Sequence, residues 1–217
     1  MFIGHWAPAL AIAAKRRRPE LGTLFIAAQL IDWAFFLFVL TGVEKMRLTP
    51  GISAVSPLDL YFMPYTHSLV GALAWGSAAA ITVWVILRDR TAGLLAGAVV
   101  MSHWLLDLLV HVPDLTIAGG PPKLGLGLWN YPVIEMPLEL AMTSGALWIY
   151  VRARNPRRSR ALVLAALLLG LQLFNWFGPV ANEVTPGTSY LALLAYGLVT
   201  LAGWWMGKSA GQDPQAG

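Results

Sequence analysis

Residues 91–111 read TAGLLAGAVVMSHWLLDLLVH. At 1.5 Å per residue this run is long enough as a helix to cross a hydrocarbon core about 30 Å thick, and it holds no lysine or arginine. It nevertheless carries His103, Asp107 and His111. That i, i+4, i+8 spacing confines the three to an arc of roughly 80° on a helix, and Asp114 would extend the same stripe. An apolar span with one ionisable stripe signals a helix that faces a polar bundle interior, because charge at membrane depth is expensive and marks function.

The rest of the chain agrees with a membrane reading. Of its 217 residues 57% are hydrophobic and 12% charged, where soluble domains average about 25% charged. Mean hydropathy is +0.62. Apolar runs of spanning length cover 21–42, 67–87, 91–111, 132–151, 161–179 and 188–206, and a shorter one covers 2–14. The expected fold is all-α, a polytopic membrane protein of six transmembrane helices plus a short N-terminal hydrophobic helix. That helix either enters the bilayer or lies in its plane. Residues 1–210 form a single integral membrane domain, and 211–217 a disordered tail. The 2–14 run precedes the Lys15-Arg16-Arg17-Arg18 cluster, the reverse of the order in a secretory signal. Twelve basic residues, among them Arg88, Arg90, Arg152, Arg154, Arg157, Arg158, Arg160 and Lys208, fall in the connections on one side, against Lys45, Arg47 and Lys123 on the other. By the positive-inside rule the first side is cytoplasmic, which makes the chain multi-pass with a cytoplasmic C-terminus.

Composition also excludes. With no cysteine, disulfides, thiolate zinc sites, iron–sulfur clusters and cysteine nucleophiles are ruled out. A net charge of +4 is explained by topology-setting clusters, so no nucleic-acid partner is expected. Ten tryptophans suit two membrane interfaces, with membrane lipids as surroundings.

The ionisable residues converge in depth. His5, His67, His103 and His111 all lie in or beside apolar runs, as do Asp32, Asp107, Glu135 and Glu139. Asp32 stands roughly 16 Å into the first long run. Glu135 and Glu139 form an i, i+4 pair at the start of the fourth, and paired acids and imidazoles on facing helices are how bundles build metal sites. A lone intramembrane histidine is usually a packing residue, but the stripe argues for ligation. No lysine or arginine lies at that depth to neutralise the carboxylates. Oxygen and nitrogen ligands without sulfur suit a divalent metal, Zn²⁺ first, with Mn²⁺ or Fe²⁺ as alternatives. The candidate ligands are His5, Asp32, His67, His103, Asp107, His111 and Glu139, and Asp114 could instead cap a loop. Thr66 or Ser68 could cap the helix that His67 opens.

Two strings, Tyr65-Thr66-His67-Ser68-Leu69 and Ser102-His103-Trp104-Leu105-Leu106-Asp107, resemble the bacterial inner-membrane proteins named membrane-bound metal-dependent hydrolases. The likeness runs from His5 to about Glu139. That family in turn looks like a membrane version of the zinc-dependent phospholipase C and P1 nuclease group, whose ligands run His, Asp, His, His-x-x-x-Asp, His, His-x-x-x-Glu. The resemblance assigns His5, Asp32, His67, His103, Asp107 and His111 in that order. Glu135-x-x-x-Glu139 departs, with glutamate where the group has histidine, so one or two metals are implied rather than three.

The resemblance implies metal-assisted hydrolysis of a phosphoester in the inner membrane, on a lipid or lipid-linked substrate at the outer leaflet, with Asp32 or Glu135 as the catalytic base. A different class is a non-enzymatic membrane subunit of a larger complex, bound to a membrane-protein partner, whose polar cluster fixes packing or a structural ion. Its sequence support is the small residues Gly71, Ala72, Ala78, Ala79, Ala80, Gly93 and Gly97, which permit close helix contact. A proton relay through Asp32, Asp107 and Glu139 is a third class, weakened by the lack of such residues near the cytoplasmic ends.

Overall fold

A central helix, α5 (Arg90–Val110), organises the molecule. In the computed structural model, which describes residues 1–179 and 183–210, it packs against α4 (Leu69–Leu87), α1 (Trp6–Lys15), α2 (Leu21–Ala28) and α3 (Leu30–Leu40). Its limits follow from local chemistry. Asp89 caps the start by accepting from the Ala92 amide at 3.0 Å. The end comes at His111, whose backbone turns extended two residues before Pro113, which has no N–H with which to continue the helical ladder.

α4 and α5 form a tight antiparallel pair, joined at Arg88, which takes a left-handed φ of 51°, and Asp89. Glycines let the backbones approach: a Cβ on Gly97 would stand 2.8 Å from the Gly76 carbonyl oxygen, and one on Gly93 would meet the Ala80 carbonyl and Trp84. Small residues at such a contact replace side-chain bulk with backbone proximity.

α1 is packed inside the assembly, with Trp6, Ala9 and Leu10 buried; its principal partners are α6 (Pro132–Arg154) and α2. The expected span 21–42 is a pair, α2 and α3, bent by 50° at Gln29. α7 (Arg158–Phe177) and α8 (Pro186–Gly207) complete the helices. Four of these, α4, α5, α7 and α8, are long and apolar enough to cross a membrane, or five if the bent pair is one span. α6 is as long, but it carries Glu135, Glu139, Arg152 and Arg154 and an internal Pro137. Among the described residues the chain is therefore mostly helical with four or five candidate spans; the expected tail 211–217 lies outside them.

The all-α expectation needs one correction. Two short hairpins occupy the connections at the end away from the basic clusters: β1 (Lys45–Leu48) with β2 (Leu58–Phe62), and β3 (Leu115–Thr116) with β4 (Lys123–Leu124), both antiparallel. Lys45-Met46-Arg47 alternates exposed, buried, exposed, the period of a half-buried strand. At the opposite end Arg154 donates to the Ala13 carbonyl at 2.7 Å and Arg160 to that of Trp205 at 2.6 Å. Arg90, Arg152, Arg160 and Lys208 lie over tryptophan rings there.

Gly97→Val forces the α4–α5 pair apart, and the expected loss is about 1–3 kcal/mol, read as a lower thermal unfolding midpoint in detergent. Gly145→Val, at a site with nothing within 4 Å, is the control and should move the midpoint far less.

Candidate metal centre

Each histidine of the cluster is held by its own piece of local structure. The bend at Gln29 takes the Ala28 carbonyl out of the helical ladder, and His103 Nδ1 lies 2.8 Å from it. No proline or glycine stands at the break; an inserted side chain is a recognised cause of such kinks. His67 sits just before α4, whose N-cap is Ser68: its hydroxyl accepts from the Gly71 amide at 2.9 Å and donates to the Pro64 carbonyl at 2.6 Å. His111 closes α5. Its carbonyl accepts from Gly127 at 2.7 Å, its Nδ1 lies 2.9 Å from Asp114 Oδ1, and the Trp129 ring packs against it with centroids 4.2 Å apart. His5 ends a 3₁₀ turn, Ile3–His5, and its ring stacks on that of His103 at 3.7 Å.

These partners fix the tautomers. A carbonyl and a carboxylate only accept, so the Nδ1 atoms of His103 and His111 carry the proton. The case of His67 takes one further step. Thr66 Oγ1 donates its single proton to Glu44 Oε2 at 2.6 Å, so it accepts from His67 Nδ1, 2.8 Å away. Glu44 is held in turn by the amides of Tyr65 and Thr66 at 2.8 and 3.0 Å. In all three rings Nε2 is therefore the nitrogen free to present a lone pair inward, the arrangement that second-shell acceptors give to metal-binding histidines.

What the lone pairs meet is negative. Asp107 Oδ2 is 3.1 Å from His103 Nε2 and 3.7 Å from His67 Nε2. Asp107 Oδ1 is 3.4 Å from His111 Nε2, 3.1 Å from His5 Nε2 and 3.2 Å from the Met1 amino group. Asp32 Oδ1 is 3.4 Å from both His67 and His103 Nε2, and its Oδ2 accepts from the Tyr196 hydroxyl at 3.0 Å. His103 Nε2 and Asp107 Oδ2 have no hydrogen-bond partner although both are buried. Two acceptors 3.1 Å apart repel, unless a cation lies between them. Ligand atoms at tetrahedral corners about 2.0–2.1 Å from a metal stand roughly 3.3 Å apart, which is the spacing seen here. Two sets of ligand atoms, His5/His103/Asp107 and Asp32/His67/His103, lie close enough to hold an ion.

The structure thus brings together His5, Asp32, His67, His103, Asp107 and His111. It does not bring Glu139 into either set. That carboxylate accepts from the amides of Phe2 and Gly4 at 2.5 and 2.9 Å and from Gln172 Nε2 at 2.8 Å, so it holds the turn that presents His5. Glu135, one helical turn earlier, is fully buried with neither carboxylate oxygen hydrogen-bonded. Asp114 orients His111. Tyr196, Glu44 and Gln172 carried no signal in the sequence; Thr66 did, as part of the Thr-His-Ser string, but as a candidate cap.

A cavity of about 520 Å³ opens on this floor. Asp32, His67, Asp107, His111, Glu135 and Glu139 line it, and Phe35, Phe36, Trp129, Leu171, Phe174 and Leu191 form apolar walls. The chain matches no protein-family model, no curated protein and no solved structure.

Thr66→Val removes the acceptor that orients His67 without touching a ligand atom. Metal affinity is expected to fall about 10–100-fold, measured by competition with a chromogenic chelator, while His67→Ala should lower it further.

Proposed function

We propose that the protein is a multi-pass membrane hydrolase that cleaves a phosphoester of a lipid or lipid-linked substrate with a divalent metal, Zn²⁺ in the first instance. The observation that carries the reading is Asp107. Each of its oxygens faces a different group of imidazoles, with no lysine or arginine to neutralise it, at the floor of a cavity whose walls are apolar. Asp32, His67, His103 and Asp107 Oδ2 would hold one ion, and His5, His111 and Asp107 Oδ1 suit a second. Bound there, a divalent cation supplies Lewis acidity toward a phosphoryl oxygen and toward water.

The chain's own groups supply the rest. Tyr196 keeps Asp32 Oδ1 turned to its two imidazoles, so the base role falls to Glu135. Its unpartnered carboxylate is available to take a proton. Glu135 accepts the proton of the attacking water, the P–O bond to the alcohol breaks, and the same proton passes to the departing oxygen. The apolar walls take up the hydrocarbon part of the substrate and keep bulk water from the reacting phosphorus. With four or five apolar helices in a membrane and the basic end cytoplasmic by the positive-inside rule, this cavity would face the outer leaflet of a bacterial inner membrane.

Elemental analysis of detergent-purified protein tests the reading. Bound Zn, Mn or Fe is expected, and is lost in His103→Ala/Asp107→Ala. Glu135→Gln should retain the metal and lower phosphoester hydrolysis about 10²–10⁴-fold. Metal content no higher than that of the double variant would overturn the proposal. Full metal with no hydrolysis of any phospholipid supplied would favour a structural ion in a non-enzymatic subunit.

A further inference from the structure

A second cavity, of about 590 Å³, lies at the opposite end of the bundle. Glu135 of the first site and Arg154 of the second stand at the two ends of α6, about 28 Å apart along the helix. The α1–α2 connection and the ends of α6 and α8 build the cavity, which Arg16, Arg17, Arg154 and Lys208 line with one acidic residue, Glu20.

Three independent features point to an anion. The first is the charge: four cations face one carboxylate in a single concavity. The second is Arg154. Its Nε is anchored on the Ala13 carbonyl at 2.7 Å, which fixes the guanidinium plane, while one terminal nitrogen is buried without a hydrogen-bond partner. A desolvated guanidinium N–H left unmade is costly, and a charged acceptor is what satisfies it. The third is α2. Leu21 and Gly22, its first two residues, line the cavity, and its N-cap Glu20 makes no side-chain hydrogen bond to the helix start. Backbone N–H groups and the dipole there favour negative charge. Trp204 packs on Gly22 where a Cβ would stand 2.7 Å from its ring, and its indole gives the cavity an apolar side.

We infer that this cavity binds a phosphate group, carried either by the headgroup of an anionic lipid or by a soluble phosphate compound. A planar guanidinium, helix amides and flanking lysine and arginine form the donor set that phosphate recognition uses. Basic pockets between helices at one membrane face are the sites at which anionic headgroups dock. The site neither shares residues with the metal centre nor depends on it.

Full-length protein in a neutral detergent is titrated with phosphatidylglycerol, phosphatidylcholine and inorganic phosphate, and binding is followed by native mass spectrometry and thermal shift. Phosphatidylglycerol or inorganic phosphate is expected to bind in preference to phosphatidylcholine. Preference for the lipid alone identifies a headgroup; binding of inorganic phosphate as well identifies a soluble ligand's site. Arg154→Gln and the exposed pair Arg16→Gln/Arg17→Gln should each weaken binding about fivefold per charge removed. The double variant serves should Arg154→Gln fail to fold. Arg158→Gln, outside the cavity, should leave affinity unchanged. Equal affinity for the three probes, or a loss in Arg158→Gln as large as in Arg16→Gln/Arg17→Gln, would overturn the site.

Discussion

Asp32 and Asp107 hold the structure's central unmet charge. Both face the Nε2 atoms of these imidazoles, because the opposite nitrogen of each anchored ring donates to Ala28, Thr66 or Asp114. The Met1 amino group stands 3.2 Å from one oxygen of Asp107, and each further carboxylate charge left without a cation costs several kcal/mol in an apolar interior. No arginine or lysine reaches them, so the charge falls to a bound cation or to rings protonated at both nitrogens, which keep their outer hydrogen bonds. The ligand atoms of His5, His103 and Asp107, and those of Asp32, His67 and His103, lie close enough together for a metal ion to meet that charge.

The fold is arranged to hold that conflict in place. His103 keeps the bend in α2–α3, and the bend turns Asp32 toward the same point. The Ser68 cap fixes where α4 begins, and so where His67 stands. The loop from Lys123 to Trp129 closes over the end of α5 and fixes His111. Glu139, itself outside the cluster, holds the 2–5 turn through two amides and thereby sets His5 against His103. Mutually supporting local choices of this kind give a site little freedom to relax, and preorganisation of this sort is what a metal or a reacting phosphoester requires.

The two ends of the bundle have opposite chemistry. One gathers carboxylates and imidazoles beneath an apolar cavity; the other gathers arginines, lysine and tryptophan around a basic one.

The long apolar helices, the helical class and most of the candidate ligands were legible in the chain alone. Span length, basic clustering and the stripe His103, Asp107, His111 are periodic features, and period and charge are written locally. The break at Gln29 was not legible, since no proline or glycine marks it and its cause is a histidine 75 positions away. Nor was the division of labour between Glu135 and Glu139. Both occupy one face of α6, but only the 2–5 turn and Gln172 on a different helix decide that Glu139 is spent on hydrogen bonds while Glu135 is left unpaired. The hairpins were missed because strands of two to five residues give a weak signal beside long apolar runs. Sequence determined which groups are too costly to bury without purpose. Tertiary structure alone decided which of them meet, because convergence of side chains from four segments depends on a bend, a cap and a loop that no local pattern encodes.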